Sequence, residues 1–255
     1  MATSEMSPTR RELLGALALG TATAPLIAGP PAAIRAIAFD AFVLFNPKPV
    51  LDRARELVAD KGAQFVATAS AKLFAYTWLY TSASRYDGFT PLARDAFQYA
   101  GAIYGVELTT ADLESLVACY SALPLWPDVA AAIGQLRHAG IRLAMLSNLP
   151  REMLLSNLRA GGIAQHFEAL LSTDEVGRFK PAPEAYALAM RALRLARGQI
   201  GFAASAGWDA SGATWFGYRT AWVNRSNARP EPAHAAPEAV SRGIEGVLLL
   251  AGLSG

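Results

Sequence analysis

Apolar and polar positions follow two different rhythms along this chain. From residue 34 onward, short apolar runs recur at Ile34–Phe39, Ile141–Leu146, Ala169–Leu171, Ile200–Ala204 and Thr220–Val223. Runs this short and this apolar predict strands buried on both faces, as in a parallel sheet. Between them lie stretches with helical spacing: Pro127–Ala139, Arg151–Ala160, Pro183–Leu195 and Ala210–Phe216. Three of these are closed by a glycine (Gly140, Gly161, Gly217), the usual helix stop before a strand. Strands and helices alternating in series predict an α/β fold, a Rossmann-like parallel sheet covered on both faces.

Between Leu51 and Ala122 the rhythm changes. No convincing strand is present, and four helical stretches run over roughly 51–61, 64–82, 90–104 and 110–121. The pattern predicts an α-helical cap, residues 51–122, inserted after the first strand of a core formed by residues 34–50 and 123–255. Residues 225–237 read as a polar, proline-rich loop before a last helix at about 238–251.

Residues 1–33 carry a third pattern. A polar start ends in Arg10-Arg11, a mildly apolar stretch runs from Leu13 to Ala28, and small residues and prolines follow. This is the three-part layout of an export signal, and Arg10-Arg11 before Glu12-Leu13-Leu14 resembles the twin-arginine type. The apolar stretch, diluted by Gly15, Gly20, Thr21, Thr23 and Pro25, falls short of the ~20 residues that span a bilayer. The expectation is a periplasmic protein with no stable membrane insertion after signal cleavage. A disordered or tethering N-terminal helix is the other reading.

Composition narrows the function classes. The 255 residues are 53% hydrophobic and 17% charged, too apolar for a disordered chain. A formal net charge of +2 gives no electrostatic footprint for nucleic acid. The single cysteine, Cys119, rules out an intrachain disulfide and reads as a buried small hydrophobe. His138, His166 and His234 are scattered without metal-ligand spacing. Tyr76, Trp78 and Tyr80 read as packing at the cap–core or a subunit interface, and Arg151 and Arg178 as solvated cations.

Ligands of open parallel sheets bind outside the carboxyl ends of the strands. Asp40, Ser147-Asn148 and the Ser205–Asp209 loop each follow such an end, and Lys180-Pro181 follows the 169–171 run by a loop. A carboxylate nucleophile needs a cation to hold it ionised and donors for the leaving group, and this set supplies both. Singly, each residue also fits a helix cap or an ordinary surface position. The four in this order point to a site.

The segments AFDAF, LSNLP, FKPAPEAY and SAGWDASGATWFGY resemble the four motifs of the haloacid dehalogenase superfamily. Within it the chain is similar to the type II (S)-2-haloacid dehalogenases from about residue 34 to 250. AYTWL, RYDGF, LPLWPDV and AWVNR add to the likeness. The resemblance implies a site between core and cap where Asp40 attacks the halogen-bearing carbon of a small 2-halocarboxylate with inversion. Water then hydrolyses the aspartyl ester, with no metal and no cofactor. It further implies that Lys180 pairs with the active-site carboxylates and that Asp209 orients or activates the water. Ser147 and Asn148 match the residues that hold the substrate carboxylate, and Tyr186 matches a substrate-side tyrosine six positions beyond the lysine. A homodimer through the cap helices is expected on the same ground.

The departures are equally specific. The family's halide-binding arginine, six residues before the tyrosine of the cap motif, is Ser70 here, and Lys72 is the nearest candidate substitute, with Arg85 another. The first motif, Asp40-Ala41-Phe42-Val43-Leu44-Phe45-Asn46, lacks the usual threonine, and the fourth has Ala204 and Ala206 where a serine and an asparagine are usual. Loss of one transition-state donor costs roughly a hundredfold in rate. Superfamily phosphatases need a second aspartate at the place of Phe42, which disfavours phosphoryl transfer. A related hydrolase for a non-halogenated substrate and a non-catalytic exported binding domain are the alternatives to a dehalogenase.

Overall fold

A computed structural model describes residues 33–233 and 235–254. The expected export signal, residues 1–33, lies outside the described residues except for Ala33, and so does His234. The described chain runs β1 (Ala36–Phe39), α1 (Ala41–Leu44), α2 (Lys48–Val58), α3 (Gly62–Ser82), α4 (Phe89–Tyr104), α5 (Thr110–Ala118) and α6 (Val129–His138). It continues with β2 (Arg142–Ser147), α7 (Arg151–Ala160), β3 (Phe167–Ser172), α8 (Pro183–Leu193), β4 (Ile200–Ala204), α9 (Gly207–Phe216), β5 (Arg219–Val223), β6 (Ala239–Ser241) and α10 (Glu245–Leu250).

The strands form one six-stranded sheet in the order β3-β2-β1-β4-β5-β6, every neighbouring pair parallel. This is the Rossmann order, with its switch point between β1 and β4. The central strand β1 is buried along its whole length. Its residues alternate between two cores, Ile37 and Phe39 on one face, Ala36 and Ala38 on the other. Gly201 of β4 accepts the Ile37 side chain, since a Cβ there would stand 2.5 Å from Ile37 Cδ1.

Helices α2 to α5 lie between β1 and β2 in the chain and share the larger of these two cores. Their order follows the four stretches read from the sequence, although α2 starts earlier because Pro49 suits a first helical turn. On α3, Phe65, Ala69, Leu73 and Thr77 recur every four residues and are buried, while Phe65 stacks on Phe97 of α4 at 6.0 Å between ring centroids. The end of α3 is tied to the loop after β3: Arg178 Nη1 donates to the Thr81 carbonyl (2.6 Å), and the Phe179 N–H donates to Thr81 Oγ1 (3.1 Å). Arg178, half-buried, is therefore a tie rather than a solvated cation, whereas Arg151 is exposed as expected, with one bond to the Leu170 carbonyl at 2.7 Å.

Two expectations need correction here. The last helix does not begin at 238: residues Ala239–Ser241 pair with β5 as an edge strand, and the helix starts at Glu245. Ser241 makes the break, because its Oγ accepts from the Gly246 N–H and donates to the Gly243 carbonyl. Cys119 is half-buried, its thiol donating to the Ser115 carbonyl.

The chain re-enters the core through a buried asparagine. Asn157 on α7 accepts from the Leu123 N–H (2.9 Å) and donates to the Tyr120 carbonyl (2.8 Å). Asn157→Leu keeps the volume but leaves both backbone groups without partners, at about 1–3 kcal/mol each. Urea unfolding of the variant is expected to show a loss of about 2–5 kcal/mol.

Candidate active site

Asp40 follows β1 and caps α1. Its Oδ2 accepts from the Phe42 N–H (3.1 Å) and from Ser205 Oγ (2.7 Å), the latter just beyond β4 across the switch point. Its Oδ1 accepts from Lys180 Nζ at 2.8 Å. The cap reading and the site reading of Asp40 thus hold together, on different oxygens. Lys180 comes from the loop after β3, where Asn148 Oδ1 accepts from its backbone N–H at 3.0 Å. The same ammonium donates to Asp209 Oδ2 at 2.6 Å. Asp209 is in the first turn of α9, which begins at Gly207 rather than at Ala210.

Lys180 and Asp209 are both buried, with only 1% of each residue exposed. Burial alone would lower the lysine pKa, but the Asp209 and Asp40 carboxylates beside it raise it, so the ammonium persists. Burial pushes the Asp209 carboxyl up to about 6, helped by Asp40 and opposed by Lys180 and Tyr186. Tyr186 donates to Asp209 Oδ1 at 2.7 Å. Its own pKa is raised well above the usual tyrosine value, by burial first and then by Asp209, which keeps it a neutral donor.

A cavity of about 60 Å³ opens over these groups. Asp40, Ser147, Asn148, Lys180, Ser205 and Asp209 form its polar floor. Phe42, Leu73, Phe74, Phe89, Tyr120 and Trp208 enclose it. Trp208 packs edge-on against Phe74 (5.1 Å) and Trp78 (5.6 Å) of α3, so Trp78 does join the helical insertion to the core. Ser70 also lines the cavity, at the position where the family resemblance calls for an arginine. Lys180 is the one cation among the described lining residues.

Two expected binding residues are not at the cavity. Lys72 is two positions past Ser70, about 200° around α3, and its amine rests on the Tyr99 ring at 4.1 Å. Helix geometry thus removes it as a stand-in for the arginine. Tyr186 is fully buried behind Asp209 and reaches no ligand space. It gets that close because Gly212 has no side chain: a Cβ there would stand 2.6 Å from the tyrosine hydroxyl. Ser205 is the residue that sequence reasoning passed over. Its signal was its place inside the fourth motif, between the two alanines.

A carboxylate at the end of the first strand, a lysine joining it to a second carboxylate, and a helical insertion over both define an enclosed polar site at the carboxyl ends of an α/β sheet. Residues 34–217 match the haloacid dehalogenase-like hydrolase family, and the chain belongs to it. An (S)-2-haloacid dehalogenase of Pseudomonas sp. (strain YL) is 34% identical over 194 residues, 76% of this chain and 84% of that protein. A crystal structure of an L-2-haloacid dehalogenase superposes with a TM-score of 0.83 at 34% identity, covering 87% of this chain and 100% of that one. The Xanthobacter autotrophicus L-2-haloacid dehalogenase with chloropropionic acid covalently bound gives a TM-score of 0.77 at 27% identity, over 85% of this chain and 98% of that one.

Two variants test the electrostatics. Lys180→Met leaves two buried carboxylates without a counter-charge, a loss of about 3–5 kcal/mol at pH 8. Loss of the cation pushes Asp209, already raised by burial, further above its unfolded pKa, so the penalty shrinks as pH falls through the raised value. Thermal melts at pH 8 and pH 5 are expected to show the larger deficit, relative to the parent, at pH 8. Tyr186→Phe removes a hydrogen bond to ionised Asp209 and raises its pKa beyond 6. If Asp209 works ionised, the acid limb of the rate profile moves to higher pH, as a pH series of turnover would read.

Proposed function

We propose that this protein hydrolyses the carbon–halogen bond of short 2-haloalkanoic acids through an ester on Asp40. The observation that carries the reading is the set of bonds on that carboxylate. Oδ1 accepts only from Lys180, whereas Oδ2 accepts from Phe42 N–H and Ser205 Oγ. Oδ1 therefore keeps a free lone pair for attack on the halogen-bearing carbon; the carbon–oxygen bond forms as the halide leaves with the bonding electrons. Oδ2 becomes the ester carbonyl oxygen, already facing two donors that act as an oxyanion hole when water attacks. Ionised Asp209 takes the proton of that water, and collapse of the intermediate releases the 2-hydroxy acid and restores the Asp40 carboxylate.

Ser147 Oγ and the Asn148 amide, both lining the cavity, are the donors for the substrate carboxylate. No described residue accepts from Asn148 Nδ2, which leaves it free for a ligand. The halide departs toward Ser70, a neutral group in place of a guanidinium. Turnover is accordingly about a hundredfold slower than with a charged donor at that place.

The proposal includes export to the periplasm on the twin-arginine-like pattern of residues 1–33 and a homodimer through the helical insertion. The exposed Leu79 and Ile103 on α3 and α4 support the second point, as an apolar face that a partner copy would cover. No described helix is long and apolar enough to cross a membrane.

Halide release from 2-chloropropanoate and 2-bromopropanoate with EDTA present is the direct test. Release is expected from the parent protein and its loss, by at least a thousandfold, in Asp40→Asn. A folded parent that frees no halide from either acid, or an Asp40→Asn variant of full activity, would refute the reading.

A further inference from the structure

Beside the reacting cavity lies a larger cleft of about 720 Å³, and Phe42, Ser70, Phe74, Tyr120 and Ser205 line both spaces. Ser70 is the position at which a long side chain would stand between the two. With a serine there, no long side chain of position 70 fills that boundary.

The outer cleft is mainly apolar: Val50 and Leu51 of α2, Val66 of α3, Trp126 and Val223 line it, with Asn46 and Ser226 as neutral polar groups. No carboxylate is among its lining residues. Two cations are, and both are already engaged. Lys48 is paired with Asp52. Arg225 gives its Nη atoms to Asp128 (2.9 and 3.0 Å) and to the Val43 carbonyl (3.1 Å), with its guanidinium 4.7 Å from the Trp126 ring centroid. A charged group entering the cleft would find no free counter-charge, whereas a hydrocarbon would find apolar wall.

The inner cavity, by contrast, is small. At about 60 Å³ it has space for some four to six non-hydrogen atoms, given that a water needs ~10–15 Å³ on this measure. That is the reacting end of a 2-halo acid and nothing more. We propose that the protein's preferred substrates are 2-substituted carboxylates with an extended apolar tail, an alkyl chain of several carbons, running past Ser70 into the outer cleft. The inference rests on the dehalogenase reading for the fate of the substrate, but the seating of the tail stands on the two spaces alone.

The test has a binding arm and a turnover arm. Calorimetry with unreactive carboxylates from propanoate to octanoate is expected to show affinity rising beyond four carbons, up to about fourfold per methylene for full burial. Halide release from 2-bromo acids of the same lengths is expected to show kcat/KM rising in parallel. Val66→Trp narrows the outer cleft and is expected to lower the octanoate-to-propanoate affinity ratio at least tenfold. If that variant does not fold, the parent series decides alone. Affinity and kcat/KM that stay flat or fall beyond four carbons, while 2-bromopropanoate is still turned over, overturn the tail and leave the dehalogenase reading intact. Octanoate binding undiminished in a folded Val66→Trp places the tail elsewhere and also overturns it. Length-dependent binding lost in Val66→Trp, with no halide released from any acid, upholds the tail seat and sinks the dehalogenase chemistry instead.

Discussion

One buried ammonium holds the site of this protein together. Lys180 lies between the carboxylates of Asp40 and Asp209, at 2.8 and 2.6 Å, with almost no contact with solvent. Two buried negative charges at this separation would repel each other and the low dielectric around them, and a single cation answers both. The three residues come from the segments after β1, β3 and β4, Asp209 from the first turn of α9, so the pair of ion contacts also fixes those segments relative to one another. Everything nearby serves that contact. Tyr186 takes the remaining load on Asp209, Asn148 anchors the lysine backbone, and Gly212 makes room for the tyrosine.

Most of the core could be read from the chain because its causes are local. Buried strands of a parallel sheet are apolar on both faces, and β1, β2 and β4 show it in four to six residues. The edge strand β6 could not be read so. Its three residues are half exposed and carry no such run, and only pairing with β5 makes them a strand. The site was legible in its charged members, since Asp40, Lys180 and Asp209 follow strand ends in order. The failures came where three dimensions decide. Lys72 is near Ser70 in the sequence but points away from it around the helix. Tyr186 sits in the motif yet faces the back of a carboxylate, and Ser205 looked like the residue between two losses when it is the one that bonds the nucleophile.

Against the guanidinium that the family resemblance implies at position 70, the serine has two physical sides. It removes a positive charge from the cavity, which leaves a departing anion to neutral donors. It also removes bulk from the boundary between a small polar space and a large apolar one. A site that gives up charge stabilisation of its leaving group while gaining apolar wall relies more on the rest of the ligand for its binding energy.

The division of labour on the Asp40 carboxylate reaches beyond chemistry. The α1 helix is a single turn, capped by Oδ2, and in the proposed chemistry that oxygen is the one that does not react. When Oδ1 passes from anion to ester and leaves with the product, the oxygen of water taking its place, Oδ2 still accepts from Phe42 and Ser205. The first turn after the central strand thus keeps its anchor through every covalent state of the nucleophile, and the scaffold is insulated from the bond-making that occurs less than one carboxyl width away.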